Sequence, residues 1–152
     1  MNEIRFAHTN IIADDWRTLA KFYVDVFGCV VLQPERDLSG DWIDTMTGIV
    51  NSKIRGVHIA LPGFENPPTL EIFGFEPHIA GTDNNPVNMK GIRHIAFHCD
   101  DLDATVKKFI EHGGTELGEM SSRVYDGYGE FRGIYMKDPE GNIVELQNWK
   151  KF

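Results

Sequence analysis

The feature that most constrains the fold of this sequence is an internal repeat. A shift of 86 positions, from His8 to His94, also aligns other residues: Asp14-Asp15 with Asp100-Asp101, Lys21 with Lys107, and Gly28 with Gly114. In both copies an apolar segment carrying a histidine precedes a helical pattern, and a glycine then leads into a second apolar segment. The repeat is longer than the roughly 20–50 residues of a solenoid unit. It therefore predicts two similar modules.

Each copy contains one helix with recognisable ends. The two predicted helices are Trp16–Phe27 and Leu102–His112. Both follow a pair of aspartates that can cap the first turn, both have apolar residues at spacings of three and four, and both are followed by glycine. These signals place one amphipathic helix directly after the first strand of each module.

The remaining apolar segments have the length and alternation of strands. They are Phe6–Ile12, Ile54–Leu61, Thr69–Phe73, Ile92–Cys99, Phe131–Lys137 and Asn142–Trp149, with shorter candidates at Cys29–Leu32 and Thr115–Glu119. Their order predicts an α+β fold made of paired βαβββ modules. Module one covers about residues 1–75, a linker about 76–90, and module two about 91–152.

Four ionisable residues occupy related places in these modules. His8 and His94 lie on the first strand of each module, and Glu71 and Glu145 lie on the last. Because side chains alternate along a strand, Glu71, His94 and Glu145 lie opposite the apolar face of their own strand. Two neutral imidazoles and two carboxylates form a charge-neutral site for a divalent ion, and mixed nitrogen and oxygen donors favour zinc, nickel, iron, cobalt or manganese over calcium. We therefore expect one divalent metal ion at His8, Glu71, His94 and Glu145.

Composition excludes several other classes of function. The net charge of -8 leaves no basic stripe for nucleic acid. No apolar run reaches the roughly 20 residues of a membrane span, and the N-terminus lacks the pattern of a signal peptide. Cys29 and Cys99 are the only cysteines and form no C-x-x-C pair, which argues against a disulfide framework or a thiolate zinc site. We expect a cytoplasmic protein that acts on a small molecule.

Four segments together resemble the vicinal oxygen chelate superfamily, which includes glyoxalase I, methylmalonyl-CoA epimerase, extradiol dioxygenases and bleomycin resistance proteins. They are FAHTNIIADDWRTLAKFYVDVFGCVV, PTLEIFGF, GIRHIAFHCDDLDATVKKFIEHGG and YMKDPEGNIVELQNW. The resemblance covers nearly the whole chain and implies a single domain over residues 1–152, with a cupped, half-barrel mixed sheet around a metal. It implies the same four ligands, His8, Glu71, His94 and Glu145, and a homodimer. Glu71 stands where epimerases commonly have glutamine, so the subfamily stays open.

The chemistry shared by this superfamily predicts a metal-dependent lyase or isomerase. In this hypothesis the substrate carries oxygens on neighbouring carbons, a proton next to its carbonyl is lost to give an enolate, and Glu145 or Glu71 is the general base. One alternative is an iron(II) extradiol-type dioxygenase that uses His8, His94 and Glu145 as a facial triad. Glu71 argues against it, because a fourth protein ligand takes a position that catechol or dioxygen needs. Another alternative is a protein that binds an antibiotic or toxin without turnover.

Two further segments and one further histidine carry weaker predictions. Residues 40–46 and 123–128 contain aromatic and charged side chains and have the composition of loops that cover a cavity mouth or simply connect strands. His58 has the pattern of an ordinary surface residue.

Overall fold

A computed structural model of the protein describes residues 3–81 and 85–152. The chain divides into two compact units, of which the first ends at Ala80 and the second begins at Gly81. Residues 1–2 of the predicted first module and residues 82–84 of the predicted linker lie outside the described residues. That the two modules form a single domain stays a prediction.

The first unit is a four-stranded mixed sheet with two helices. Its elements are β1 (His8–Ile12), α1 (Trp16–Phe27), β2 (Val30–Ser39), α2 (Asp41–Thr47), β3 (Lys53–Ala60) and β4 (Thr69–Glu76). The strand order is β1-β4-β3-β2. Strands β1 and β4 are parallel, whereas β4 with β3 and β3 with β2 are antiparallel. The first strand of the module therefore lies beside its last strand, although about 60 residues separate them in sequence.

Helix α1 forms where its capping signals predict it. The Asp15 carboxylate accepts a hydrogen bond from the backbone N–H of Thr18 at 3.1 Å, and Gly28 ends the helix in the left-handed conformation. The helix packs against β3 and β4. Leu19 and Tyr23 of the helix are fully buried, as is Ile72 of β4. This core occupies one face of the sheet, and the side chains that alternate with it occupy the other.

The second unit repeats this plan. Its elements are β5 (His94–His98), α3 (Leu102–Glu111), β6 (Thr115–Glu116), β7 (Ser121–Tyr125), β8 (Gly129–Lys137) and β9 (Ile143–Lys150). The strand order is β5-β9-β8-β6, and β7 also pairs with β8. Strands β5 and β9 are parallel. Helix α3 packs against β9, with Phe109, Val144 and Leu146 fully buried.

The predicted α+β class with paired βαβββ modules is therefore confirmed. Each unit contains a strand, a helix and then three strands of an open mixed sheet, with one additional element, α2 in the first unit and β7 in the second. The two helices predicted from the sequence, α1 and α3, begin at the predicted residues. Among residues 3–81 and 85–152, no helix combines the length and apolar character needed to cross a membrane.

The two predicted loops contain regular elements that the sequence did not indicate. Residues 41–47 form helix α2, whose Ile43 is fully buried in a cluster with Ile54 and Phe73. Seven residues make only two turns, too few for an apolar periodicity to stand out. Residues 121–125 form strand β7, all five of whose residues are exposed, so the strand lacks the alternation of a half-buried strand. The expectation of irregular loops was wrong for residues 41–46 and 123–125, whereas residues 126–128 do form a turn, between β7 and β8.

Both cysteines are expected to be unreactive in the folded protein. Cys29 is 2% exposed and Cys99 is 8% exposed, and both are free thiols. Burial raises the pKa of Cys29 to about 11 and also raises the pKa of Cys99, so both remain protonated at pH 8. A disulfide-exchange reagent such as Ellman's reagent should titrate no fast thiol in the native protein and two thiols per chain in guanidinium chloride. Rapid reaction of either thiol without denaturant would contradict this burial.

Candidate metal centre

The first unit brings His8 and Glu71 together across the parallel pair of strands β1 and β4. His8 Nε2 lies 3.3 Å from Glu71 Oε2. Asn10, which is opposite Glu71 in the register, donates a hydrogen bond from Nδ2 to the same oxygen at 3.3 Å. The Glu71 side chain is 14% exposed, whereas that of His8 is 44% exposed. The carboxylate is held in place while the imidazole remains accessible.

A fourth side chain, His58, belongs to this group and was not identified from the sequence. His58 is opposite Glu71 in the register of β3 and β4, and its Nε2 lies 3.1 Å from Glu71 Oε1. Its other ring nitrogen, Nδ1, lies 3.1 Å from Thr69 Oγ1. Burial lowers the pKa of His58, and the charge of Glu71 opposes that shift. The interpretation of His58 as an ordinary surface residue was wrong, because its side chain is only 20% exposed and contacts a predicted ligand.

The second unit brings His94 and Glu145 together in the corresponding way. His94 Nε2 lies 3.1 Å from Glu145 Oε2, and the Glu145 side chain is 17% exposed. Tyr135 is opposite Glu145 in the register of β8 and β9, and its ring lies 5.1 Å from that of His94. Burial raises the pKa of Tyr135, and the charge of Glu145 and a hydrogen bond with it raise that pKa further. The phenol therefore stays protonated at neutral pH beside Glu145.

The donor atoms of each pair fit a divalent ion. Two ligand atoms that each lie about 2.0–2.2 Å from a metal are themselves about 3 Å apart in ordinary coordination geometry. The separations of 3.3 Å in His8–Glu71 and 3.1 Å in His94–Glu145 are of this size. Within the described ranges, no three or more His, Cys, Asp or Glu side chains form a metal-binding group. The structure therefore brings one predicted histidine ligand and one predicted glutamate ligand together in each unit, and the joint use of one ion by the two pairs stays a prediction.

The DPEGN segment explains how Glu145 reaches its place. The buried Asp138 carboxylate accepts hydrogen bonds from the backbone N–H of Glu140 at 3.0 Å and of Asn142 at 2.9 Å. It also accepts two from the side-chain amide of Asn142, at 3.1 and 2.9 Å. These bonds shape the turn between β8 and β9. The geometry of this turn sets the register between β8 and β9, which places Tyr135 opposite Glu145.

Replacing Asp138 by alanine is expected to destabilise the protein by at least about 1.5–3 kcal/mol, because hydrogen bonds to a buried charged acceptor are lost. The free energy of unfolding should be measured in urea. A matched control is Asp126→Ala, since Asp126 is an exposed aspartate in the turn between β7 and β8. Equal stability of the two variants would contradict the structural role given to Asp138.

An aromatic cluster extends the same face of the second sheet. Trp149 lies four residues along β9 from Glu145 and therefore points to the same side, roughly 13 Å away. Its ring lies 5.2 Å from that of Phe131 and 5.3 Å from that of Tyr125. Trp149 is 40% exposed and Tyr125 42% exposed. The face that carries Glu145 thus also offers an accessible apolar surface.

Comparison with known proteins gives the family. Residues 5–146 match the model of the Glyoxalase/Bleomycin resistance protein/Dioxygenase superfamily. The chain belongs to this superfamily. This confirms the resemblance seen in the sequence, and every residue proposed as a ligand lies inside the matched range.

Individual relatives are more distant. The chain is 29% identical over 141 residues to the Escherichia coli strain K12 protein named "Uncharacterized protein YaeR", covering 91% of this chain and 92% of the relative. A glyoxalase family protein from Bacillus cereus has the same fold, with a TM-score of 0.83 at 20% identity over 98% of this chain and 96% of the other. The trypanothione-dependent glyoxalase I of Leishmania major gives a TM-score of 0.60 at 20% identity, over 96% and 87% of the two chains. At these identities the structures show a shared fold alone.

Proposed function

We propose that the protein is a metal-dependent lyase or isomerase of the glyoxalase or epimerase type. It would move a proton at the carbon next to a carbonyl group of a small oxo-substrate, through an enolate. The observation that carries the proposal is the matching His–Glu pair in each unit, His8 with Glu71 and His94 with Glu145. Membership of a superfamily that includes glyoxalases supports it.

The four residues of these pairs are the proposed ligands of one divalent ion, which is nickel, zinc, cobalt, manganese or iron. Imidazole nitrogen and carboxylate oxygen are donors that all these ions accept. When bound, such an ion polarises a substrate carbonyl as a Lewis acid. Whether the two pairs come from one chain or from two subunits of a dimer is part of the test below.

The two glutamates are the proposed catalytic groups. A carboxylate that contacts the activated carbon can accept its proton, and a second carboxylate on the opposite module can return one. Glu71 and Glu145 are 14% and 17% exposed, so each is shielded from bulk water without being closed off. We propose that one of them removes the proton and that the other delivers it. The aromatic cluster around Trp149 would bind an apolar part of the substrate.

The setting proposed for this chemistry is a cytoplasmic homodimer. Two buried free cysteines fit a reducing compartment. In the part of the chain that the structure describes, each sheet also ends in edge strands that pair on one side only, and a second copy is one way to cover them.

The proposal is tested by metal-dependent proton exchange. The protein is stripped with a chelator and reloaded separately with nickel, zinc, cobalt, manganese or iron(II). Each form is incubated in deuterated water with a panel of small oxo-acids, their thioesters and hemithioacetals, including aryl-substituted members. We expect deuterium at the carbon next to the carbonyl of at least one compound, and none with the stripped protein.

Other outcomes identify the alternatives. Oxygen uptake with iron(II) and a catechol would replace the proposal with a ring-cleaving dioxygenase. Tight stoichiometric binding of a compound without exchange or product would replace it with a binding protein. A mixture of an inactive His8 variant and an inactive His94 variant tests the assembly, since recovered activity requires sites shared between subunits.

A further inference from the structure

The two proposed carboxylate ligands have partners that occupy equivalent places. In the first unit, His58 on β3 is directly opposite Glu71 on β4. In the second unit, Tyr135 on β8 is directly opposite Glu145 on β9. Each partner lies on the antiparallel neighbour of the strand that carries the glutamate, whereas the histidine ligand lies on its parallel neighbour. Each glutamate is therefore flanked by a proposed metal ligand on one side and a ring-bearing donor on the other.

The two carboxylate oxygens of Glu71 contact different partners. Oε2 lies near His8 Nε2 and accepts from Asn10 Nδ2, both at 3.3 Å. Oε1 lies 3.1 Å from His58 Nε2. The carboxylate oxygen that faces His8 is thus distinct from the one that contacts His58.

The carboxylate of Glu71 fixes the direction of its contact with His58. Because a carboxylate only accepts, His58 Nε2 is the donor to Glu71. In the neutral imidazole Nδ1 is then an acceptor, and the Thr69 hydroxyl 3.1 Å away donates to it. The ring also packs edge-on against Phe73, with centroids 5.7 Å apart. Thr69 and Phe73 therefore hold His58 in the orientation in which it donates to Glu71.

Tyr135 has the same relation to Glu145 with simpler chemistry. Tyr135 is opposite Glu145 in the register, and its ring lies 5.1 Å from that of His94. Burial and the charge of Glu145 raise the pKa of its phenol, which keeps the phenol protonated and able to donate. The side chain is partly buried in the sheet. Two different residue types, each able to donate a hydrogen bond, thus occupy the same structural position beside a proposed ligand.

We propose that His58 and Tyr135 are positioning residues that orient Glu71 and Glu145 toward the metal ion. For Glu71, the bond from His58 occupies Oε1 and leaves Oε2 to face the ion. This proposal rests on the proposed function, because it assumes that the glutamates bind a metal. Neither residue touches the ion, and partners of this kind typically contribute 10–100-fold to metal affinity.

The test compares variants that remove the donor with one that preserves it. His58→Leu and Tyr135→Phe each remove a donor, whereas His58→Gln keeps a side-chain N–H of similar reach. His112→Leu is the matched control, since His112 lies at the end of α3 and bonds the Lys108 carbonyl. The readouts are the dissociation constant for Co²⁺, measured against a chromophoric chelator, and the visible spectrum of the cobalt-loaded protein.

We expect His58→Leu and Tyr135→Phe to raise the dissociation constant about 10–100-fold and to shift the cobalt spectrum. His58→Gln should restore both to within a few-fold of the parent, and His112→Leu should change neither. Wild-type affinity and spectrum in both donor-less variants would overturn the positioning role. So would a His58→Gln variant as impaired as His58→Leu.

Failure of this proposal can be told apart from failure of the proposed function. If the parent protein binds Co²⁺ stoichiometrically and His94→Ala abolishes binding while the donor-less variants do not weaken it, only the positioning role falls. If the parent protein binds no divalent ion, both fall together. Circular dichroism on each variant checks the fold, and should His58→Leu be unfolded, Tyr135→Phe and His58→Gln still decide the question.

Discussion

A Glu145→Gln variant is expected to lose proton exchange by about 10²–10⁴-fold, the range that a general acid or base contributes. Glutamine has nearly the same shape as glutamate, but its amide cannot accept a proton from carbon at neutral pH. The loss should appear in the rate of deuterium incorporation into the best substrate of the panel, measured at saturating metal so that weaker ion binding does not account for it. The proton-exchange rate of Glu71→Gln is measured under the same conditions. Comparing the losses in the two variants shows how much each carboxylate contributes to proton transfer.

The control for this prediction is Glu116→Gln, which removes an exposed carboxylate from β6 of the same unit. It should exchange protons at the parent rate. If Glu145→Gln exchanged protons as fast as the parent protein under metal-saturating conditions, the assignment of Glu145 as a proton-transfer group would be untenable. The pairing of His94 with Glu145 at 3.1 Å would then serve binding alone.

The sequence predicted helices α1 and α3 well because their signals are local. Helix α1 begins and ends at the predicted residues, and α3 ends one residue earlier than predicted, at Glu111. Aspartate caps, apolar spacing and terminal glycines all lie within one element, so no long-range information is needed. The start of β4 at Thr69 was also correct, but the strand continues to Glu76 because Phe75 packs on the α2 cluster.

The site was predictable only in part, and for a physical reason. The repeat and the alternation of strands identified His8, Glu71, His94 and Glu145, and the structure pairs them within each unit. The role of His58 depends on the register between β3 and β4, which the eight residues between these strands set.

The place of Tyr135 beside Glu145 could not be predicted from the sequence for the same reason. The β8–β9 turn has five residues, fewer than the eight between β3 and β4, so the two partners do not stand at the same distance in sequence from their glutamates. His58 precedes Glu71 by 13 positions (71 minus 58), whereas Tyr135 precedes Glu145 by 10 (145 minus 135). The internal repeat therefore does not align His58 with Tyr135. A register of this kind is a tertiary property, because it follows from packing and turn geometry together. The alternation of side chains along one strand does place His58 and Tyr135 on the ligand-bearing face. It does not show which side chain each of them contacts.

A Gly56→Ala variant is expected to be severely destabilised, by more than about 4 kcal/mol, which is rare for a single substitution. Gly56 is buried on β3, opposite Phe73 of β4. A Cβ atom there would overlap the backbone carbonyl oxygen of Ile72 and the ring of Phe73, and would lie 2.8 Å from the Phe73 Cα. Two of these atoms belong to the backbone, so no change of rotamer relieves the clash. Against a total stability of about 5–15 kcal/mol, such a loss leaves a large unfolded fraction.

The matched control for this variant is Gly118→Ala, where an added Cβ meets no atom within 4 Å and the backbone is not in the left-handed region. Its midpoint in thermal or urea unfolding should equal that of the parent, whereas that of Gly56→Ala should fall sharply. An unchanged midpoint for Gly56→Ala would mean that β3 and β4 are not as close at this point as the structure has them. The result bears on the site as well, because Phe73 packs over Gly56 and also against His58. A residue larger than glycine would push that ring toward the imidazole that contacts Glu71, so the small size of residue 56 supports the geometry of the proposed metal centre.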